Sequence, residues 1–498
     1  MELFANLGIG LTTAFSWTNL IYCFIGVALG TLIGVLPGLG PTATIAMLLP
    51  ITFNLEPVSA LIMLAGIYYG SQYGGSTTSI LINVPGEAAA VITTLDGHQM
   101  ARRGDAGKAL AVAALGSFIA GTIATLFIAL FAPFLAEFAL QFGPAEYFSL
   151  LVLGLVMAIV LARSSLLHAW GMVILGLLVG LIGTDINSGI TRFTFNIPEL
   201  ADGISFVVVA MGLFGITEIV RSLEENPSTS ENIQELSHLM LNREDWKHAW
   251  PAILRGTVLG SAMGLLPGSG SILGAFAAYS LEKKISSYPH KFGTGVIEGV
   301  AAPESANNAG AQTSFIPMLT LGIPSNPVMA LMLGALILHG IIPGPLLMTE
   351  QPHLFWGVIV SMWIGNLFLV ILNLPLIGVW VKLLTVPYSL LYPAILVFCV
   401  IGAFSLNNSE LDIYLMALFG LCGYIFYKLD CEPAPFLLGY ILGPMMEEYL
   451  RRALLISHGD PLVFIQRPIS VIMLSIALAS VIAMWLAKFS PRYENLIE

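Results

Sequence analysis

One fifteen-residue pattern occurs twice in this chain and limits what it can fold into. It reads GVALGTLIGVLPGLG from Gly26 to Gly40 and GTVLGSAMGLLPGSG from Gly256 to Gly270. The two copies lie 230 residues apart, and eight of their fifteen positions are identical without a gap. A shared L-P-G-x-G at a single offset is typical of an internal duplication. We therefore expect two structural repeats.

Each copy is an apolar run that Pro-Gly-x-Gly interrupts. In hydrocarbon such a break leaves backbone groups without partners unless protein or a watered cavity satisfies them. Interrupted segments at corresponding positions in two halves are typical of transporter substrate sites. The glycines at four-residue spacing also favour close helix packing. Both interpretations apply together, so we expect each copy to form a packed helix that ends at the tip of a re-entrant hairpin.

The composition is that of a membrane protein. Of the 498 residues, 57% are hydrophobic and only 10% are charged, whereas about a quarter of residues are charged in soluble domains. Long apolar runs predict an all-α polytopic membrane protein with about 10–12 membrane segments. No basic region precedes the first apolar run, so we expect no cleavable signal peptide. The net charge of -11 gives no reason to expect nucleic-acid binding.

No motif for catalysis stands out. The four cysteines lack metal-ligand spacing, and the chain has no Walker motif, no H-E-x-x-H and no G-x-S-x-G. We therefore expect a protein that is not an enzyme. We expect no cofactor beyond a coupling ion, because without an ATP site energy must come from a gradient or another subunit.

The distribution of basic residues predicts the topology. No Lys or Arg precedes Arg102, and none lies between Lys291 and Lys382. Because Lys and Arg mark cytoplasmic loops, the basic connection 96–108 after the first unit is predicted to be cytoplasmic. The corresponding connection 339–353 after the second unit has no basic residue and is predicted to face outward. The two repeats are therefore expected to be inverted in the membrane.

These patterns divide the chain into four parts. The first repeat covers 1–220, with a hairpin at 20–53, a discontinuous transmembrane helix at 58–95 and further spans. A polar cytoplasmic linker at 221–250 leads to the second repeat at 251–448, which has a hairpin at 251–281, a broken helix at 295–338 and further spans. The last part, 449–498, holds an interfacial segment and a C-terminal transmembrane helix. Thr78-Ser79 aligns with Thr313-Ser314 at an offset of 235, and Val84-Pro85-Gly86 matches Ile323-Pro324-Ser325 after a four-residue insertion.

Polar runs interrupt both long apolar segments and are the candidate binding residues. Polar residues in a membrane segment are costly and usually face a bundle interior or a pathway, although a lone Ser or Thr more often only bonds to a neighbouring helix. The predicted substrate-binding residues are Pro37, Gly38, Gly40, Ser76, Thr77, Thr78, Ser79, Asn83, Pro267, Gly268, Gly270, Asn307, Asn308, Thr313, Ser314, Ser325 and Asn326. The predicted cation-binding residues are Gly74, Gly75, Glu304, Ser305 and Asn307.

The neutral polar runs indicate the sign of the ligand. Helix N-termini at the hairpin tips present free N–H groups that favour carboxylates or phosphates. Neither polar interruption contains Lys or Arg, so an anion would lack a full countercharge from the protein. We therefore expect a co-bound cation, Na⁺ or H⁺, with Glu304, Glu87 and Glu298 as the best-placed carboxylates.

Several motifs together resemble one known family, the large membrane subunit of the bacterial tripartite tricarboxylate transporters, the TctA type. They are GVLPGLGPT (Gly34 to Thr42), YYGSQYGGSTTSILINVPGE (Tyr68 to Glu87), DGHQMARRGDAGKAL (Asp96 to Leu110) and APESANNAG (Ala302 to Gly310), followed by TLGIPSNP and GIIPGP. The resemblance covers nearly the whole chain, and the combination is highly specific. It implies a secondary-active importer of small, citrate-like carboxylates in the bacterial inner membrane.

The resemblance also implies partners and a motion. The partners are a small transmembrane subunit (TctB-like) and a periplasmic solute-binding protein (TctC-like) that delivers the substrate. The motion is that of an elevator-type transporter, by analogy with related tripartite systems. An alternative is an anion channel or facilitator without gradient coupling. The sequence leaves open which carboxylate is carried and whether Na⁺ or H⁺ drives it.

Overall fold

The computed structural model describes residues 2–36, 40–160, 162, 164–185, 188–225, 239–266, 270–383 and 388–487. The described residues are almost entirely helical. Two short antiparallel strands, β1 (Gly183–Thr184) and β2 (Thr191–Arg192), pair with each other. The prediction of an all-α membrane protein is therefore confirmed.

The helices of the first half are α1 (Glu2–Ala14), α2 (Trp17–Gly34), α3 (Pro41–Thr52), α4 (Pro57–Ile82), α5 (Val91–Met100), α6 (Ala106–Ala139), α7 (Pro144–Val160), α8 (Leu166–Gly180), α9 (Phe206–Ala210) and α10 (Thr217–Glu225). Those of the second half are α11 (Arg243–Gly264), α12 (Gly270–Ile285), α13 (Glu298–Thr313), α14 (Phe315–Leu321), α15 (Pro327–Leu338), α16 (Leu347–Glu350), α17 (Pro352–Asn373), α18 (Ile377–Leu383), α19 (Tyr388–Asn407), α20 (Glu410–Lys428), α21 (Pro433–Ile456), α22 (Val463–Gln466) and α23 (Pro468–Ala487). Turns of π-helix cover Ala101–Asp105 and Met211–Ile216, and 3₁₀ turns cover Pro198–Leu200 and Pro289–Lys291.

Several helices have the length and composition of membrane spans. Among the described residues five stretches qualify, namely Trp17–Gly34, Val91–Ala139, Phe206–Glu224, Pro352–Asn373 and Glu410–Lys428. Shorter apolar helices accompany them, and large apolar side chains are exposed over much of the surface. Such a surface is favourable against lipid, so the chain is a multi-pass membrane protein. The predicted total of about 10–12 segments stays a prediction.

The helices of both hairpins end where the duplicated motif breaks. In the first hairpin α2 ends at Gly34, and α3 begins with Pro41 at its first position, where proline has no N–H to lose. In the second hairpin α11 ends at Gly264 and α12 begins at Gly270. The 12 residues of α3 span about 18 Å, less than the roughly 30 Å of a hydrocarbon core. Residues 37–39 and 267–269 lie outside the described residues.

A glycine ladder packs the first hairpin against α4. A Cβ added to Gly26, Gly30 or Gly34 would lie 2.2, 2.3 or 2.4 Å from the carbonyl oxygens of Met63, Ile67 and Ser71 respectively. Only glycine lets the backbones of α2 and α4 approach this closely.

The second hairpin repeats this ladder against α13. A Cβ added to Gly256, Gly260 or Gly264 would lie 2.3, 2.1 or 2.3 Å from the carbonyl oxygens of Ala302, Ala306 and Gly310. The glycines in the predicted G-x-x-x-G positions therefore all serve close packing.

The two ladders correct the sequence alignment of the second segments. The contacted residues pair Met63 with Ala302 and Ser71 with Gly310, which is an offset of 239. The left-handed residues that end the helical stretches, Asn83 with φ 57° and Gly322 with φ 71°, lie at the same offset. The offset of 235 for Thr78-Ser79 and the four-residue insertion are therefore wrong. The sequence alignment matched two identical Thr-Ser pairs that do not occupy equivalent positions. The backbone packing shows that the offset between the two segments is constant.

The predicted broken helices break later than their polar runs. Gly74 to Ser79 lies inside the continuous α4, and the chain leaves helical structure only between Ile82 and Val91. The run from Glu304 is likewise helical through α13, with a break at 322–326 before α15. Ser and Thr in these runs donate to carbonyls of the preceding turn, as Ser76 does to Gln72 and Thr77 to Tyr73. The polar residues therefore do not interrupt α4, whereas in the second segment Ser314, the last residue of its run, separates α13 from α14.

Each long helix that follows a broken segment packs across the opposite hairpin. Helix α6 lies against α13 and α11, whereas α17 lies against α4 and α2. Further contacts between the halves join α8 to α21, and α20 to the π-helical turn between α9 and α10. The two halves are therefore interleaved around α4 and α13.

The Asp96 side chain connects α5 to the segment before α13 by hydrogen bonds. Its buried carboxylate accepts hydrogen bonds from the backbone N–H groups of Gly293, Gly295 and Val296 at 2.7 to 3.0 Å and from the Tyr279 hydroxyl at 2.9 Å. These bonds join the first half of the chain to the second at one end of the central helices.

The structure revises two predicted boundaries. Helix α21 continues through the boundary predicted at 448 and ends at Ile456, because Glu447 and Arg451 pair with each other and with the β1–β2 loop. There Arg192 and Arg451 both contact Asp185, and the hydrogen bond that Arg192 donates to the Glu447 carboxylate raises the pKa of Arg192. The predicted linker 221–250 is helical at both ends, in α10 and α11, and residues 226–238 lie outside the described part.

Candidate functional site

Two glutamates, Glu304 fully buried and Glu87 partly buried, lie where α4, α5, α6, α13 and α17 meet. Glu304 lies on α13, and Glu87 lies in the break after α4. Among the residues that the structure describes, neither forms an ion pair. A buried carboxylate without a basic partner is costly unless a proton or a cation neutralises it. This cost marks the region as the candidate site.

Glu304 is held by hydroxyl groups from the first half of the chain. Ser76 on α4 donates to Oε2 at 2.6 Å, and Thr93 on α5 donates to Oε1. Asn308, one turn further along α13, donates to the hydroxyl of Ser117 on α6 at 2.7 Å. Glu304 is therefore oriented at the junction of three helices from the first half with α13 from the second.

A small cavity lies beside Glu304. Its walls are Tyr73, Ser76, Thr77, Ile80, Leu110, Ala113, Ala114, Ser117, Glu304 and Asn373. None of these residues is basic, and the space holds about one water-sized group. Asn373 from the end of α17 is 4% exposed, and its Oδ1 has no hydrogen-bond partner among the described residues. The cavity thus has a carboxylate on one side and an unused amide oxygen among its walls.

Glu87 accepts a hydrogen bond from Asn307, which lies on α13. The Oδ1 atom of Asn307 has no partner among the described residues, although the side chain is buried. The preceding Gly86 packs into the end of the first hairpin: a Cβ there would lie 2.4 Å from Cα of Gly75 and 2.9 Å from the carbonyl oxygen of Gly34. The first hairpin, the first break and α13 therefore meet at Glu87.

Tyr68 brings the second hairpin and the second break to the same region. The side-chain amide of Asn326 donates to the Tyr68 hydroxyl at 3.4 Å. Ser271, the second residue of α12, lies beside the same hydroxyl, and Glu87 is close enough to affect it electrostatically. Both hairpins and both breaks thus contribute to one polar region, which can offer hydroxyl and amide donors to an anion.

The predicted substrate-binding residues are distributed around this region. Asn307 and Asn326 point to it, and Ser325 donates to the backbone of Ser314 at 3.2 Å. Thr78 and Ser79 are both satisfied by the carbonyl of Gly75.

The remaining members of the predicted set lie at helix ends. Asn83 is the left-handed C-cap of α4, Thr313 donates to the carbonyl of Ser261 at 3.1 Å, and Gly40 is the N-cap of α3. Gly270 packs against the carbonyl of Met263. Pro37, Gly38, Pro267 and Gly268 lie outside the described residues.

The predicted cation-binding residues do not come together. Gly74 packs against the end of α2, and Gly75 against Gly86. Ser305 faces Gly116 on α6, whereas Asn307 faces Glu87. Of this set only Glu304 borders the cavity: Ser305 follows it directly and therefore points to another side of α13, and the Asn307 amide is directed to Glu87.

Sequence reasoning left six contributors out of the predicted sets: Tyr68, Glu87, Thr93, Ser117, Ser271 and Asn373. Glu87 was a candidate carboxylate that the spacing alone did not assign. Thr93 and Asn373 are isolated polar residues in apolar surroundings, and only their packing distinguishes them from helix-to-helix hydrogen bonds. The third candidate carboxylate, Glu298, lies instead at the start of α13 with Tyr288 and His248.

Comparisons with known proteins agree on one family. The model of the tripartite tricarboxylate transporter TctA family matches residues 20–438. An "Uncharacterized 52.8 kDa protein in TAR-I ttuC' 3'region" of Agrobacterium vitis is 57% identical over 482 residues, which are 97% of this chain and 96% of that protein. An "Uncharacterized protein in TAR-II ttuC' 3'region" of the same organism is 60% identical over 223 residues, 45% of this chain and 92% of that protein. No solved structure matches significantly. With a matching model over most of its length and a relative aligned from end to end, the chain belongs to the tripartite tricarboxylate transporter TctA family.

Proposed function

We propose that this chain is the large membrane subunit of a binding-protein-dependent secondary transporter, which imports small carboxylates by cation symport. The observation that carries the proposal is the buried Glu304 together with the partly buried Glu87, neither of which forms an ion pair among the described residues. Two such charges in a membrane protein are retained at a cost, and proton or ion pathways are where such residues usually occur. These two carboxylates can bind the cation whose transport is coupled to that of the anion.

The substrate is a tricarboxylate or a related small carboxylate that binds where the hairpins and breaks converge. The Asn307, Asn326 and Ser271 side chains offer neutral donors there, and the hairpin helices α3 and α12 begin nearby, where the positive ends of helix dipoles favour an anion. Because the glutamates repel an anion, the carboxylate binds only after a cation has neutralised them. The order in which the cation and the carboxylate bind therefore couples their transport.

The architecture behind this site is a pair of inverted repeats with re-entrant hairpins. Support comes from the two glycine ladders with constant offsets, from the matching left-handed residues Asn83 and Gly322, and from the exchange of α6 and α17 between the halves. The opposite distribution of basic residues supports the inversion. An elevator motion of the hairpin-bearing part, by analogy with related transporters, would expose the site alternately on each side.

The transporter works in the bacterial inner membrane with two partners. One is a small transmembrane subunit and the other a periplasmic solute-binding protein. This assignment follows from family membership. It leaves selection among carboxylates partly to the binding protein.

Uptake into proteoliposomes tests the proposal. The vesicles contain this chain with its small-subunit partner and receive labelled citrate or another di- or tricarboxylate, with binding protein added or omitted. Na⁺ and H⁺ gradients are imposed separately. Accumulation that needs both the binding protein and one gradient is the expected result.

Gradient-independent equilibration without binding protein would contradict the proposal and favour a channel, because a channel cannot concentrate a solute. Accumulation driven by ATP alone would contradict it as well.

A further inference from the structure

Four helices place oxygen-bearing side chains in the walls of the cavity beside Glu304. Ser76 and Thr77 come from α4, Ser117 from α6, Glu304 from α13 and Asn373 from α17. Thr93 on α5 completes the arrangement by holding the second carboxylate oxygen. We propose that this cavity binds a single sodium ion between Glu304 and Asn373. The inference deepens the proposed function, because it identifies the coupling ion and separates its site from that of the carboxylate.

The unused amide oxygen of Asn373 is the first argument. Asn373 anchors its own nitrogen by donating to the carbonyl of Leu369 at 3.0 Å, which fixes the side chain. Its Oδ1 is nevertheless without a partner among the described residues, and an unsatisfied buried acceptor costs about 1–3 kcal/mol. A cation in the cavity would satisfy this oxygen. A proton on Glu304 would neutralise the carboxylate but would leave the amide oxygen of Asn373 unused.

The chemistry of the walls is the second argument. The walls of the cavity contain hydroxyl, carboxylate and amide carbonyl groups. Their oxygen atoms are the ligands that hard cations prefer. One carboxylate balances one positive charge. The described residues contain no group of three His, Cys, Asp or Glu side chains that could hold a metal ion, so the walls fit a monovalent ion better than a divalent one.

The size of the cavity is the third argument. It holds about one water-sized group, so a di- or tricarboxylate does not fit. Glu87 and Asn307 lie outside its walls and belong to the region shared by the hairpins. The cation and the carboxylate therefore occupy separate sites on α13.

The position of the cavity gives the ion a structural role. Its ligands come from both halves of the chain: Ser76 and Ser117 from the first, Glu304 and Asn373 from the second. A bound ion would therefore hold α4, α6, α13 and α17 together and stabilise the arrangement in which the hairpins and breaks meet.

Direct sodium binding by the full-length purified chain in detergent tests the inference. Binding of radioactive Na⁺ and the unfolding temperature are measured against Na⁺ concentration, with K⁺ or choline keeping ionic strength constant. No carboxylate and no binding protein is present, so the result does not depend on transport. We expect saturable binding and an unfolding temperature that rises with Na⁺ but not with K⁺.

Three variants locate the ion. Glu304→Gln removes the charge, Asn373→Leu removes the amide oxygen at similar volume, and Thr93→Val removes the hydroxyl that orients the carboxylate. We expect Glu304→Gln and Asn373→Leu to weaken Na⁺ binding at least about tenfold, and the orienting Thr93→Val by about tenfold. Thr320→Val is the matched control, because this buried hydroxyl on α14 donates only to the carbonyl of Ile316 among the described bonds.

The outcomes separate the ion site from the transport function. Absence of any Na⁺-specific binding, or binding that Asn373→Leu and Thr93→Val leave unchanged, overturns the inference. If Glu304→Gln fails to fold, the near-isosteric Thr93→Val and the small change Ser76→Ala still decide it. Proton-driven accumulation by a protein that does not bind Na⁺ overturns the sodium site but keeps the transporter. Sodium binding without carboxylate accumulation contradicts the transporter alone.

Discussion

Asn307 donates a hydrogen bond from its side-chain amide to the carboxylate of Glu87, across 220 residues of sequence. This bond joins the middle of α13 to the break that follows α4. One contact therefore connects the first break directly to the central helix of the second half.

Removing this donor is expected to destabilise the protein. Asn307→Ala leaves a partly buried carboxylate without its hydrogen bond, and a bond to a charged group contributes about 1.5–3 kcal/mol. In a Glu87→Gln background the same substitution is expected to cost clearly less. Denaturant-induced unfolding of the four proteins of this double-mutant cycle in mixed micelles gives the coupling energy. Equal costs in both backgrounds would show that the two side chains do not interact.

Paired alanine substitutions on the central helices are expected to abolish uptake. We expect Asn307→Ala with Asn308→Ala, or Thr78→Ala with Ser79→Ala, to leave the protein in the membrane but stop substrate accumulation, since the first pair contacts Glu87 and Ser117 and the second lies near the end of α4, just before the first break. Membrane abundance and proteoliposome uptake are measured together. Normal uptake in either double variant would move the substrate site away from that pair.

The glycine ladder of the second hairpin is expected to tolerate no side chain. In Gly260→Ala the new Cβ would lie 2.1 Å from the carbonyl oxygen of Ala306, and a backbone atom cannot rotate away, so we expect a loss of at least 1–3 kcal/mol, roughly the cost of overpacking. Gly171→Ala on α8 is the control, because nothing lies within 4 Å of its Cβ and alanine favours the helix by about 0.5–1 kcal/mol. Unfolding temperature and monodispersity after purification compare the two. Equal behaviour would contradict the close approach of α11 and α13.

Asp96 is expected to be essential for joining the two halves. Asp96→Ala removes the carboxylate that accepts from the N–H groups of Gly293, Gly295 and Val296, and a hydrogen bond to a charged group contributes about 1.5–3 kcal/mol. Tyr279→Phe removes one hydrogen bond only and is expected to cost about 1 kcal/mol. Limited proteolysis of the 286–297 segment, followed by mass spectrometry, measures the loosening. Unchanged cleavage in Asp96→Ala would show that other contacts hold this segment.

The sequence predicted the positions of the helix ends in both hairpins. Pro-Gly-x-Gly stops α2 at Gly34 and α11 at Gly264 because proline removes a donor and glycine allows the chain to leave the helix. The polar runs were harder to interpret. Ser76 and Thr77 have the same composition as a loop, yet their hydroxyls bond to carbonyls one turn earlier, so α4 continues through them.

The set of cation-binding residues was also difficult to predict from the sequence. Gly74, Gly75, Ser305 and Asn307 were grouped with Glu304 by position in the sequence, but they point to different neighbours on the packed helices. Asn373 gave no sequence signal beyond a single amide at the end of an apolar run. Its importance depends on the cavity that α17 closes against α4 and α13.

The sequence by itself determined that this chain is a helical membrane protein, where its duplicated hairpin helices end, and which segments carry buried polar groups. These properties depend on local chemistry: apolar length, the missing N–H of proline and the small size of glycine. Only the tertiary structure decided that Glu87 meets Asn307 and that Glu304 meets Ser76, Thr93 and the cavity next to Asn373. Those partners lie on different helices, and the register in which the glycine ladders let the helix backbones approach decides which side chains meet.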